Sequence, residues 1–380
     1  MNKQKIIILS AVLVDVLGFG IVIPILPFYL TEFGASAYTI TLLFSVFAFC
    51  SFLSAPFLGA LSDRIGRRPV LLLSIFSTSI GWFVFASAAS IPFLFLGRII
   101  DGLAAGNFTT AQSYLADLAK DEKERVKNLG IVGAAFGIGF IFGPLLGGIL
   151  SKVSHAFPFY IAGMMALING ISAFFFLKES NKQRNDAKLR YNPLLPLIRA
   201  YCSVALRPLY IIWSLFAFSF IVVQSIFALF SQKVFGYDSF HTGLFFTVIG
   251  IIIVLNQAFL LNKFWTKRFA EKQLEQIMLA MSVVGLLMLA SQNLLLFFGS
   301  LVLTGTSQAI LRVVISSQAI AKSDPRIKGE IMGTIASIMT GTMIIGPIIG
   351  GILFEEFTWL PFIAAALASA AGFFVSRQSK

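Results

Sequence analysis

The sequence predicts an all-α polytopic membrane protein, with twelve spanning helices in two pseudo-symmetric six-helix bundles. Three observations carry that expectation. The 380 residues are 57% hydrophobic and only 12% charged, with mean hydropathy +0.88, whereas a soluble domain holds about 25% charged residues. The string GPLLGGIL at Gly143–Leu150 returns as GPIIGGIL at Gly346–Leu353, 203 residues later. Basic residues gather in every second loop.

A spanning helix needs about 20 mostly apolar residues. The apolar runs are 6–30, 39–61, 70–89, 92–116, 128–150, 157–177, 209–232, 239–261, 274–290, 294–320, 330–353 and 358–375. The first follows Lys3 and Lys5, as a signal peptide would. It is too long for one, contains Asp15 and lacks a small-residue cleavage site, so it is expected to remain as span 1. Spans 2 and 3 flank the charged turn GALSDRIGRR at Gly59–Arg68. Span 4 carries Arg98 and Asp101, one turn apart, and its helical phase extends their face to Ala105 and Gln112. Asn107-Phe108-Thr109 matches a glycosylation sequon, but inside an apolar run it reads as accidental.

Span 5 contains the first GPxxGGIL string. Span 6 ends at the polar stretch Lys178–Arg207, which holds Pro193 and Pro196. That stretch divides a first bundle, 1–178, from a second, 208–380, with a connecting loop at 179–207. Halves related by such a repeat, with a substrate site near the midplane, are a transporter design.

The formal charge of +12 invites a nucleic-acid reading, but its placement argues against one. Clusters at Lys3/Lys5, Arg64/Arg67/Arg68, Lys120–Lys127, Lys178–Arg207, Lys263–Lys272, Lys322–Lys328 and Arg377/Lys380 occupy the termini and alternate loops. By the positive-inside rule both termini are cytoplasmic. Cys50 and Cys202 imply no disulfide framework, His155 and His241 lack ligand spacing, and there is no GxxxxGK[ST]. Neither a metal nor a nucleotide cofactor is expected. Any pumping would use an ion gradient.

In the turn after span 2, Gly59 and Gly66 permit close helix approach and sharp backbone geometry. Arg64, Arg67 and Arg68 hold the loop at the cytoplasmic face, and Asp63 is an acid suited to pairing with them. In span 5, Gly139, Gly143 and Gly147 repeat every four residues and form a smooth face, Gly148 completes the GPxxGG string, and Pro144 removes a backbone hydrogen bond. The turn closely resembles the cytoplasmic signature loop of the major facilitator superfamily. GPxxGG on span 5 resembles the antiporter motif of its drug/proton antiporter group. VDVLGFGIVIPILPFYL in span 1 and LGRIIDGLAAGN in span 4 resemble tetracycline/proton antiporters, a likeness running through roughly residues 6–178. Those antiporters carry acids in spans 3 and 9. This chain has Gly81 at the span 3 position and no acid in Gln276–Ala290. The resemblance therefore implies the fold and proton antiport, but not tetracycline as substrate.

An ionised side chain at the bilayer centre costs roughly 2.5–3.5 kcal/mol on insertion scales, so intramembrane charges read as functional. Four lie well inside the spans: Asp15, Arg98, Asp101 and Arg312. Proton binding to a carboxyl partly out of water can follow conformation, which makes Asp15 the candidate for coupling or substrate contact. The resemblance implicates Arg98 in proton transfer, with Asp101 beside it, although a structural pair fits equally. Arg312, with Gln308 and Ser316 on its stripe, reads as an anion contact, a counter-charge or a packing arginine. Further substrate-cavity candidates are Phe19, Gln112, Gln224, Phe227, Asn256 and Gln257, although most of the 41 Phe must face lipid or fill packing gaps.

The reading is a monomeric, multi-pass transporter of a bacterial inner membrane, exporting an amphipathic small molecule against protons. A dedicated exporter of one metabolite, such as a sugar or siderophore, is the alternative. A receptor or scaffold would be expected to carry soluble signalling extensions, and catalysis would need a nucleophile–base or metal constellation that the sequence does not offer.

Overall fold

The computed structural model describes residues 3–119, 121–181, 198, 201, 206–322 and 328–378. They are helical, with no strand among them. Among the described residues, twelve helices are long and apolar enough to cross a membrane: Gln4–Thr31, Ala37–Ile65, Arg67–Ala86, Ile91–Asp117, Gly130–Leu150, Phe157–Phe176, Arg207–Phe235, Ser239–Arg268, Glu271–Ala290, Leu294–Ala321, Glu330–Glu356 and Leu360–Gln378. They are spans 1–12 in order. Helices are the economical solution in lipid because every backbone polar group is satisfied within the segment. Large side chains such as Phe175 and Leu295, 71% and 82% exposed, then cover the outside.

Local chemistry places the helix ends. Asp121 caps the helix leading into span 5 by accepting from the Glu124 amide at 2.6 Å. Asn293 caps span 10 by accepting from the amides of Leu295 and Leu296. Gly236, at φ 71°, ends span 7 in the left-handed conformation.

Two spans depart from the expected plain helices. Span 4 is not continuous: helices Ile91–Leu103 and Asn107–Asp117 are separated by a turn in which the Gly106 amide donates to Ala104 O at 2.7 Å. The helical phase that would align Gln112 with Arg98 and Asp101 is therefore broken. Tight packing supports the break, because a Cβ on Gly106 would lie 2.9 Å from Leu58 and one on Gly102 would lie 2.7 Å from Cys50. Span 8 passes into a π-helix over Asn256–Trp265. The Trp265 indole there donates to Asn256 Oδ1 at 3.1 Å.

The chain forms two compact units. The first comprises Met1–Ala35, Val46–Pro193 and Ser239–Phe246, and the second Ser36–Ser45, Leu194–Asp238 and Thr247–Lys380. The division departs from 1–178 and 208–380 at two short segments, the starts of spans 2 and 8. The repeated glycine strings account for it. In the first unit, Gly143 and Gly147 pack on span 1 at Gly20 and Ile21, while Gly148 packs on the Phe240 backbone. In the second, Gly346 and Gly350 pack on span 7 at Ile221 and Ser225, while Gly351 packs on Tyr38 and Thr41. Each copy thus seats two glycines on the first span of its own half and a third on a borrowed helix end. The repeat is structural as well as textual.

Each unit has its own apolar core. Ile8, Val12, Leu71, Ile75, Tyr114 and Ala173 centre one. Trp213, Met278, Leu279, Ile310, Leu311 and Ile335 centre the other.

Candidate functional site

Spans 1, 3 and 4 meet in the first unit around a chain of polar side chains. Asn107 Nδ2 donates to Asp15 Oδ1 at 3.1 Å and reaches Thr78 Oγ1 at 3.5 Å. Thr78 lies beside Asp101. Asp101 Oδ2 lies 3.4 Å from Arg98 Nη1. Asp15 is half-buried, whereas Arg98 and Asp101 are 4% and 7% exposed. The order Asp15–Asn107–Thr78–Asp101–Arg98 is a run of neighbouring polar side chains through the spans, hydrogen-bonded from Asp15 to Thr78 and ion-paired from Asp101 to Arg98.

Close helix approach makes the cluster possible. Added Cβ atoms on Gly81 and Gly97 would each lie within 2.9 Å of the facing helix, Gly81 against Asp101 Cβ and Gly97 O. A carboxylate-bearing side chain at position 81 would therefore strike Asp101. The absence of an acid in span 3 and the presence of one at position 101 are two sides of one packing solution.

Aromatic rings shield the arginine. The Arg98 guanidinium carbon sits 4.2 Å from the Trp82 ring centroid, 5.0 Å from that of Phe85 and 5.3 Å from that of Phe47. Trp82 itself stacks on Phe159 at 5.7 Å. Arg98 Nε and Nη2 and Asn107 Oδ1 have no hydrogen-bond partner among the described residues. Cation–π contact and one carboxylate thus hold a desolvated charge.

The signature loop forms a second cluster, at the end of the spans. Arg67 pairs with Asp63 at 2.5 Å, reaches Asp117 at 3.3 Å and donates to Ser62 Oγ at 2.6 Å. Glu179, from beyond span 6, accepts from the backbone amides of Arg67 at 2.8 Å and Arg68 at 3.1 Å. A carboxylate across the first turn of span 3 satisfies orphan donors and faces the positive end of the helix dipole. Gly66, at φ 113°, lies directly against that carboxylate, so its lack of a Cβ is required twice over. Gly59 differs: nothing lies within 4 Å of its would-be Cβ, so it does not mediate the close approach expected of it. Arg64 is exposed.

The glycines of span 5 form the smooth face read from the sequence, and it lies on span 1: Gly139 meets Val16, Gly143 meets Leu17 and Gly20, and Gly147 meets Ile21 and Ile25. The helix runs through Pro144 unbroken, and a Cβ on Gly243 would come within 2.5 Å of Pro144 O.

The remaining candidates are divided between the two units. Phe19, half-buried one turn from Asp15, packs edge-on to Phe140 at 6.2 Å. Gln112, Gln224 and Gln308 are half-buried. Phe227, 2% exposed, stacks on Phe297 at 5.7 Å and fills core space. Asn256 is 4% exposed and bonded to Ile252 O, Thr306 and Trp265, and Gln257 donates to Ala309 O at 3.1 Å, so both serve the helix wall. Arg312 is exposed. Cys202, Arg326 and residues 182–197 of the basic connecting loop lie outside the described residues.

Sequence reasoning missed Asn107, Thr78, Trp82, Glu179 and Glu275. Asn107 had a signal, an amide in an apolar run six residues after Asp101, which the sequon reading set aside. Glu275 is fully buried one turn into span 9, with Ser376 at 2.5 Å and Lys272 at 3.0 Å. It adds a buried acid to the second half that the four-charge reading did not contain.

A model of the Major Facilitator Superfamily matches residues 8–274. This chain belongs to the major facilitator superfamily. It is 32% identical to the class C tetracycline resistance protein of Escherichia coli, over 92% of this chain and 89% of the relative. It is 28% identical to the quinolone resistance protein NorA of Staphylococcus aureus, over 98% and 95%. Among solved structures, the nucleoside transporter NupG superposes with a TM-score of 0.80 at 17% identity, covering 100% of both chains. The human organic anion transporter MFSD10 superposes with a TM-score of 0.72 at 23% identity, covering 98% of this chain and 99% of that one. These two likenesses establish the fold. The chain is a multi-pass membrane transporter of this superfamily.

Proposed function

We propose that the protein exports an amphipathic small molecule in exchange for protons, by alternating access. The observation that carries the reading is the Asp15–Asn107–Thr78–Asp101–Arg98 run, which sets two carboxylates along one line of neighbouring polar side chains inside the spans. Kinship with the tetracycline and quinolone resistance proteins supports a drug-like substrate. Asp15, half-buried and beside Phe19, is the residue at which substrate and proton compete. Asp101 is held by Arg98 and serves as the relay behind it.

A ligand or proton can shift the exchange between facing states only through its differential affinity for them. Protonation of Asp15 favours one state and substrate the other. The Arg67-centred cluster, with Asp63, Asp117 and Glu179, acts as a latch at the cytoplasmic end, and the glycine face of span 5 lets spans 1 and 5 slide without steric steps. The protein works as a monomer in the cytoplasmic membrane, with both termini inside and no cofactor other than the transported proton.

Proteoliposomes with an imposed pH gradient test this. Cationic and neutral amphipaths, sugars and a siderophore would be screened for uphill movement, with the accompanying proton flux read by an internal pH dye. Substrate-dependent proton flux with amphipaths is the expected result. Transport indifferent to the gradient would refute the coupling, and uphill movement of the sugar or siderophore alone would refute the substrate class.

A further inference from the structure

Between spans 3 and 6, beside the signature loop, lies a cavity of about 500 Å3 whose chemistry the transport reading does not use. Its walls are half apolar, from Ile65, Pro69, Leu72 and Leu177, and half charged, from Arg68, Lys178 and Glu179. Glu179 remains an anion, but its two oxygens are occupied by the amides of Arg67, Arg68 and Asn181, and the two cations outnumber it. Arg68 and Lys178 leave the cavity positive. Arg68 donates one Nη to Phe174 O at 2.7 Å, while its Nε is buried and without an acceptor among the described residues. Lys178 is exposed and forms no ion pair within the described residues.

The setting says what kind of anion fits. Arg68 lies in the first turn of span 3 and Lys178 two residues past the end of span 6, so both cations sit where apolar spans end. Ile65, Phe174 and Phe176, 42%, 52% and 49% exposed, lead from the cavity along the outside of the spans. We propose that this cavity binds the head group of an anionic phospholipid: its phosphate accepts from Arg68 and Lys178, and an acyl chain runs along Ile65 and Leu72. A phosphodiester supplies charge-assisted acceptors for the guanidinium of Arg68 and the ammonium of Lys178, and basic pockets at the ends of spans are suited to such lipids. A free phosphate would make no use of the apolar wall. The inference does not depend on the proposed substrate or on proton coupling.

Native mass spectrometry of the full-length protein in detergent tests it, with phosphatidylglycerol or phosphatidylcholine of identical chains. Wild type is expected to bind phosphatidylglycerol in preference. Lys178→Glu should weaken phosphatidylglycerol binding by about fivefold or more, since one basic residue near a lipid surface is worth roughly that factor. Lys178→Arg should preserve it, as should Lys123→Glu, a charge reversal away from the cavity. Inorganic phosphate in tenfold excess over lipid should not displace it. Monodisperse elution and an unchanged Tm establish that each variant is folded, and Lys178→Gln replaces Lys178→Glu if that variant is not. Undiminished phosphatidylglycerol binding by the folded Lys178 variant, equal loss in Lys123→Glu, or displacement by inorganic phosphate would each overturn the assignment.

Discussion

Asp101 in the first half and Glu275 in the second are both buried carboxylates, and their surroundings give them opposite characters. Asp101 sits midway along span 4, with Arg98 under aromatic rings on one side and Thr78 leading to Asn107 and Asp15 on the other. Glu275 lies one turn into span 9, anchored by Ser376 of span 12 and by Lys272, whose side chain is 36% exposed. In the core of the second half, Ser219, Ser282 and Ser369 join spans 7, 9 and 12 through contacts of 3.0 and 3.3 Å. The difference teaches that depth and connectivity separate a relay from a fastener. The first half concentrates ionisable groups where only protein solvates them; the second pins its carboxylate where a lysine reaches the edge.

The largest expected effect comes from breaking the deep pair. Asp101→Ala strands Arg98 and should destabilise the protein by about 3–5 kcal/mol, with Arg98→Met/Asp101→Leu recovering much of that loss. Thermal unfolding in one detergent measures both. A single variant as stable as wild type would mean that the rings alone hold Arg98. Gly81→Asp comes next, at about 1–3 kcal/mol, because the new side chain strikes Asp101. Pairing it with Asp101→Gly should restore expression better than Gly81→Asp alone; if it does not, the two positions do not share space.

Smaller effects follow at the ends of the spans. Glu179→Gln weakens the cap on span 3 and should cost about 0.5–2 kcal/mol while slowing turnover severalfold. Unchanged transport would confine Glu179 to topology. Glu275→Gln keeps an acceptor for Ser376 and should cost about 1 kcal/mol with coupling intact. Loss of pH-driven transport in a folded Glu275→Gln protein would erase the distinction between the two carboxylates.

Much of this architecture is legible in the sequence because lipid enforces it. Apolar runs long enough to span are helices, and the twelve runs correspond one for one to the twelve candidate spans. The glycine repeat predicts matching contacts in the two halves, and it makes them. The site was only half legible. Arg98 and Asp101 declare themselves as charges one turn apart, but Asn107 meets Asp15 only because span 4 breaks at Ala104–Gly106, a product of packing against spans 2 and 3. Glu179 lies 112 residues from the amide it caps. In sequence it looks like any solvated acid after a span. Borrowed helix ends and the π-helix of span 8 likewise arise from contacts that no local pattern records.

The central claim is that coupling resides at Asp15 and runs along the first-half polar chain. Asp15→Asn cannot titrate, yet it keeps an acceptor for Asn107. Purified into proteoliposomes, it should lose uphill, pH-driven export while retaining counterflow of substrate, which needs no net proton movement. Asp101→Asn, measured in parallel, should slow coupled export with less effect on counterflow. Uphill export by Asp15→Asn at the wild-type rate, with an unchanged pH profile, would contradict the account and move the coupling site elsewhere.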